Sequence, residues 1–120
     1  MKLSEPRFSK MWNGGIYYEV EDGRINVPDV LDYDEGPEIF EVVMVFIPRE
    51  RPNEIRLCGY IELEEYVGFP FYDDKVEGDI VLEFSKNTDF FSDPPSPDRM
   101  RDIIYNEPYE KIHFEEIKGV

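Results

Sequence analysis

Apolar residues recur along the chain mostly with the rhythm of strands. Ile39 to Ile47 reads Ile-Phe-Glu-Val-Val-Met-Val-Phe-Ile, almost continuously apolar and β-branched, which predicts a central strand covered on both faces. Glu54 to Glu64 alternates instead. Ile55, Leu57, Gly59, Ile61 and Leu63 fall on one face, and Arg56, Cys58, Tyr60, Glu62 and Glu64 fall on the other. The connection from Pro48 to Asn53 is too short for a helical crossover, so these two strands are expected to pair antiparallel.

Upstream, Asp22-Gly23 stands between two alternating runs. Because a type I′ turn needs positive φ at both central positions, this dipeptide predicts a two-residue hairpin with Val20 opposite Ile25 and Tyr18 opposite Val27. Ile16, Tyr18, Val20, Ile25 and Val27 would then face the core, and Tyr17, Glu19, Glu21, Arg24 and Asn26 would face water. Before the hairpin, Ser4 as cap, Pro6 in the first turn and the spacing of Phe8, Met11 and Trp12 predict a short N-terminal helical turn.

The second half continues the alternation and adds one helix. Asp79 to Phe84 places Ile80, Leu82 and Phe84 inward, and Tyr109 to Ile117 offers a last strand with Ile112 and Phe114 facing one way and His113 and Glu115 the other. Between them, Ser96 as cap and Pro97 as first helical residue open a helix to about Asn106, with Met100, Ile103 and Ile104 as its apolar stripe. Arg99 and Arg101 lie where the helix dipole disfavours a cation, so nearby acids are expected to hold them. The fold class that follows is α+β: one globular domain over residues 1–120, a mostly antiparallel sheet of about five to seven strands, a short N-terminal helical turn and one helix in the C-terminal half.

Composition agrees with a packed core, since hydrophobic residues make up 41% of the chain and aromatics 15%. The lone cysteine, Cys58, admits no internal disulfide, the chain opens without an apolar leader, and no apolar run approaches the ~20 residues of a membrane span. A reducing, cytoplasmic setting is expected.

Known chemistries are hard to place on these residues. Zinc needs several His or Cys ligands, and the chain has one of each, His113 and Cys58. A Cys-His nucleophile would require the last strand to lie beside the Glu54–Leu63 strand. Asp32-Tyr33-Asp34-Glu35-Gly36 matches a calcium loop at only two ligand positions, and Gly14-Gly15 lacks the context of a phosphate loop. Acids are so numerous that carboxylate pairs carry no information. No enzyme activity, metal or cofactor is therefore expected. A small-ligand pocket lined by Trp12, Tyr66, Phe69, Tyr72, Arg99 and Arg101 is the alternative, and a structural or assembly component a further one.

Charge is the unusual term, with 28 acids against 13 bases, a net −15. Such a field repels nucleic acid and membranes of like charge and draws in basic surfaces, although solubility alone would also account for it. Two windows hold no lysine or arginine, from Arg24 to Arg49 and from Arg56 to Lys75. The residues expected to meet a basic partner are Glu19, Glu21, Asp29, Asp32, Tyr33, Asp34, Glu35, Tyr60, Glu62, Glu64, Glu65, Tyr66, Asp73 and Asp74. In them, tyrosines supply anchors among the acids. In size, charge and lack of a catalytic motif the profile is similar to bacterial toxin-immunity proteins and to phage-encoded inhibitors of host defence. The likeness is one of composition and assigns no residue a role. It implies a non-catalytic inhibitor that neutralises a basic nuclease or nucleic-acid-binding complex by occupying its groove as a DNA mimic, without binding nucleic acid or membrane itself. Homodimerisation through the edge strand Tyr109–Ile117 is a further expectation.

Overall fold

A computed structural model describes residues 1–10, 14–26, 39–62 and 75–117. The strands are β1 (Lys2–Leu3), β2 (Arg7–Phe8), β3 (Ile16–Glu21), β4 (Arg24–Asn26), β5 (Ile39–Ile47), β6 (Glu54–Glu62), β7 (Lys75–Glu83) and β8 (Lys111–Glu116), with helix α1 (Pro97–Asn106) between the last two. They form one sheet in the order β1-β3-β5-β6-β7-β8, with β2 also pairing β3 and β4 also pairing β5. Every pairing is antiparallel. The architecture is thus the expected mostly antiparallel α+β fold, but it has eight described strands rather than five to seven and no N-terminal helical turn.

The N-terminal segment is extended because the free edge of β3 offers it a full set of partners. Ser4 caps no helix: its N–H donates to the Glu19 carbonyl at 2.9 Å, and its hydroxyl oxygen accepts from the Glu19 N–H at 2.8 Å. A helix of two turns is marginal by itself, whereas these bonds fix β1 and β2 against a strand already in place. Met11 and Trp12 lie outside the described residues.

The Asp22-Gly23 hairpin is also absent. β3 and β4 do not pair with each other; both run along β5, with Glu19 opposite Met44 and Arg24 opposite Glu41. Five steps on one strand therefore match three on the other, and Asp22-Gly23 is the surplus, a bulge. Asp22 takes the positive φ that the sequence suggested, +52°, but the chain continues forward, and the Gly23 carbonyl accepts from the Val42 N–H at 2.8 Å. Gly23 is required for a different reason: a Cβ there would overlap the Val42 carbonyl oxygen.

A second bulge lies on the other side of the same point. Between β5 and β6 the register slips at Val42 to Met44, leaving Val43 surplus and 53% exposed. Burial changes parity there: Phe40 and Val42 point inward before it, Val45 and Ile47 after it. The continuous apolar run is thus the trace of one buried face whose phase shifts by a residue, rather than of two covered faces.

The inner face carries the core, built from Ile16, Tyr18, Phe40, Val45, Ile55 and Ile80 with their neighbours, and α1 closes over it through Met100 and Ile103. Ser96 caps α1 by accepting from the Arg99 N–H at 3.2 Å, and Pro97 is the first helical residue, as expected. The arginines are held by acids, Arg99 by Asp102 at 2.9 Å and Glu107 at 2.7 Å, Arg101 by Asp98 at 3.6 Å. The hydroxyl of Tyr18, wholly buried, donates to the Pro95 carbonyl at 2.6 Å and ties the segment before α1 to the sheet. Burial, with Glu5 adding to it, pushes that phenol up. No helix among the described residues is long and apolar enough to cross a membrane.

Candidate partner-binding face

Residues directly opposite in antiparallel strands share a face, so the register defines the outer surface of the sheet. One rank across it is Glu19, Met44, Cys58, Asp79 and Glu115; the next is Tyr17, Phe46, Arg56, Val81 and His113. On one side of these lie Glu54, Glu83 and Lys111, and on the other Arg24, Glu41, Tyr60 and Glu77. This face is acidic, with apolar and aromatic groups set among the carboxylates.

Its centre is Arg56. The guanidinium donates to Glu54 through Nε at 3.0 Å, and through Nη1 to Asp79 at 3.1 Å and to Glu115 at 2.7 Å. Arg51 adds a longer contact to Glu54 at 3.6 Å, and Glu115 meets His113 at 2.9 Å. Burial works against the Arg56 charge, but the bonds to Glu115 and Asp79 and the field of Glu54 outweigh it and hold the group above its ordinary value. Arg56, helped by His113, holds the Glu115 carboxyl down at about 2. Three carboxylates on one guanidinium leave the cluster with surplus negative charge.

Cys58 is not a nucleophile in this setting. Burial, then the neighbouring Asp79, pushes the thiol well up, so it stays protonated. The Cys58–His113 pair considered from the sequence does not form, because β7 lies between β6 and β8. Among the described residues no group of His, Cys, Asp and Glu is arranged to hold a metal.

Of the acids singled out in the sequence, Glu19 is exposed on this face and meets Arg7 at 3.6 Å. Glu21 is exposed at the end of β3 opposite Lys2, and Tyr60 is half-buried between Glu41 and Glu77. Glu62 belongs to β6, where its backbone pairs with Lys75. Asp29, Asp32, Tyr33, Asp34, Glu35, Glu64, Glu65, Tyr66, Asp73 and Asp74 lie outside the described residues, as does the calcium-like stretch 32–36. Of the described strand ends that flank these stretches, Asn26 pairs with Ile39, Phe40 with Ile61 and Glu62 with Lys75, so both base-free windows leave the described residues at the same end of four neighbouring strands, the end that carries Arg24, Glu41, Tyr60 and Glu77.

Toward the opposite end, signs are mixed. A recess of about 590 Å³ there is lined by Met44, Phe46 and Cys58, with Arg49, Arg51 and Arg56 set beside Glu50 and Asp79. A second recess, about 410 Å³ on the inner side, is lined mainly by Ile25, Leu57, Ile80, Leu82, Ile104 and Ile112. Neither is the pocket expected from the sequence: Arg99 and Arg101 line neither one, and Trp12, Tyr66, Phe69 and Tyr72 are outside the described residues.

Sequence reasoning missed the Arg56 cluster. Arg56 was visible as the base on an otherwise acidic strand face, but Asp79 and Glu115 become its neighbours only through the order β6-β7-β8. Compared with protein families, curated proteins and solved structures, the chain finds no match from which a function could be carried over.

Proposed function

We propose that the protein is a non-catalytic acidic binding protein that neutralises a basic, nucleic-acid-acting partner, in the manner of a toxin-immunity protein or a phage-encoded inhibitor of host defence. The observation that supports this reading best is the common origin of the two base-free windows beside Glu41, Tyr60 and Glu77. Charge spread evenly over a surface serves solubility, whereas acids concentrated on one sheet face, among them Glu19, Glu41, Glu77, Asp79 and Glu115, draw in and orient a cationic partner. Tyr60 supplies a half-buried aromatic for such a contact. Occupying a basic groove needs binding only.

The test is affinity for purified basic nucleases and nucleic-acid-binding proteins at about 50 and 300 mM salt, a range over which the Debye length shrinks from about 14 to about 6 Å. Glu77→Lys combined with Asp32→Lys and Asp34→Lys is expected to weaken binding at least tenfold and to flatten its salt dependence. Asp98→Lys, on the exposed side of α1, changes the net charge elsewhere and should leave affinity near that of the parent. Equal loss in both variants would reduce the effect to net charge, and a bound partner that still takes up its nucleic acid would exclude neutralisation. The apolar inner recess favours one other reading, a small apolar ligand, which a thermal-shift screen would register as stabilisation.

A further inference from the structure

The recess at the corner where β5 turns into β6 has a built wall, and the pair Gly14-Gly15 forms it. Gly15 lies so close to the Phe46 ring that a Cβ there would overlap Cζ and Cε2. Gly14, at a φ of +78°, runs beside the Arg49 side chain, whose Nη1 and Cδ would lie 3.6 and 3.7 Å from a Cβ at that position. Only glycine adopts that φ freely and lets a ring approach the backbone so closely. Both side chains line the recess. The glycine pair thus seats an aromatic ring and a guanidinium on consecutive residues.

Arg49 differs from its neighbours in charge balance. Arg7, Arg51, Arg56, Arg99 and Arg101 each meet a carboxylate, whereas Arg49 forms no ion pair among the described residues, in a chain with 28 acids and 13 bases. Met44, Phe46 and Ile117 make part of the lining apolar, and Glu50 and Asp79 also border it, the latter engaged by Arg56 at 3.1 Å. A ligand that suits this lining presents one carboxylate to Arg49, since a guanidinium matches that planar fork, and sets an aromatic body against Phe46 and the Met44 sulfur. A doubly charged head would meet the repulsion of Glu50 and Asp79. The volume, about 590 Å³, falls in the range of small-molecule sites.

We propose that this recess binds a small aromatic monocarboxylate, with Arg49 pairing the carboxylate and Phe46 and Met44 taking the ring. This inference does not rest on the basic-partner reading. It concerns a different ligand, and its test contains no protein partner.

Amide NMR of the whole chain, titrated at constant ionic strength with benzoate to about 10 mM, tests it, because that range registers millimolar affinity. Saturable shifts are expected at Phe46, Arg49, Arg51 and Ile117. Benzamide keeps the ring without the charge, and phenyl phosphate adds most of a second charge near neutral pH; each should bind at least about fivefold more weakly. Arg49→Gln removes an exposed side chain that holds no ion pair among the described residues, so the fold should persist while benzoate weakens about fivefold and benzamide is unaffected. Lys86→Gln makes the same charge change on an exposed residue elsewhere and should alter neither. Shifts that do not saturate, shifts centred instead on the inner recess at Ile25, Leu82 and Ile104, benzamide or phenyl phosphate binding as tightly as benzoate, or equal effects of the two variants would overturn the proposal.

Discussion

Arg56 shows how a single side chain can decide what a sheet face tolerates. The Glu54 and Asp79 side chains are only 5% and 14% exposed, and the Arg56 guanidinium is bonded to both. Arg56→Met keeps the apolar stem and removes the charge, leaving those carboxylates buried without their cation. The expected loss is about 3 kcal/mol at neutral pH, read by urea denaturation; a loss below about 1 kcal/mol would mean that water replaces the guanidinium at little cost. Glu115 gives the pH signature. Its folded-state value of about 2 lies below the ordinary 4.5, so its contribution is complete above the unfolded value and disappears as pH falls from about 4.5 toward 2. Denaturation of the parent and of Glu115→Gln at pH 6, 4, 3 and 2 should show the difference between them shrinking through that window; a constant difference would sink the assignment.

Bulges, rather than turns, shape the sheet at the scale of elements. Asp22-Gly23 and Val43 each add residues to a strand at the same height of β5, and together they put Phe40, Val42, Val45 and Ile47 all on the buried face. Asp22 and Gly23 have opposite tolerances. Asp22→Gly relieves a positive φ of 52° and should be neutral or stabilising by up to about 1 kcal/mol, whereas Gly23→Ala drives a methyl into the Val42 carbonyl and should destabilise by more than about 1 kcal/mol. Thermal unfolding of the two variants checks the pair. Similar effects of both would contradict the bulge. The dipeptide misleads in the sequence because positive φ at Asp22 serves a reversing turn and a bulge alike, and only the partner strand distinguishes them.

The whole molecule carries its charge under tension. A net −15 on one small domain repels itself, so raising salt from about 20 mM to 500 mM should raise the unfolding temperature by several degrees, even though the Arg56 pairs weaken somewhat. A fall in that temperature would mean that the ion pairs outweigh the self-repulsion. At this scale, too, one face of the sheet stands out, because register gathers Glu19, Glu41, Glu54, Glu77, Asp79, Glu83 and Glu115 on the outer side, against Arg24, Arg56 and Lys111.

Local physics was sufficient wherever one residue type enforces one conformation or one periodicity. Ser96-Pro97 started α1, the stripe Met100 and Ile103 set its buried side, and alternation assigned the faces of β6, β7 and β8, because these depend on neighbours in the chain. The antiparallel pairing of β5 with β6 also follows from the short link between them. Three things depended on contacts between distant segments. The N-terminal residues became strands because β3 had an open edge, Asp22-Gly23 became a bulge because β5 ran past both of its flanks, and Arg56 gathered Glu54, Asp79 and Glu115 because β7 inserted between β6 and β8. The charge of the chain is written in its composition. Which acids share the outer face is set by strand order, since hydrogen-bonded register, and not spacing along the chain, brings residues from different strands side by side.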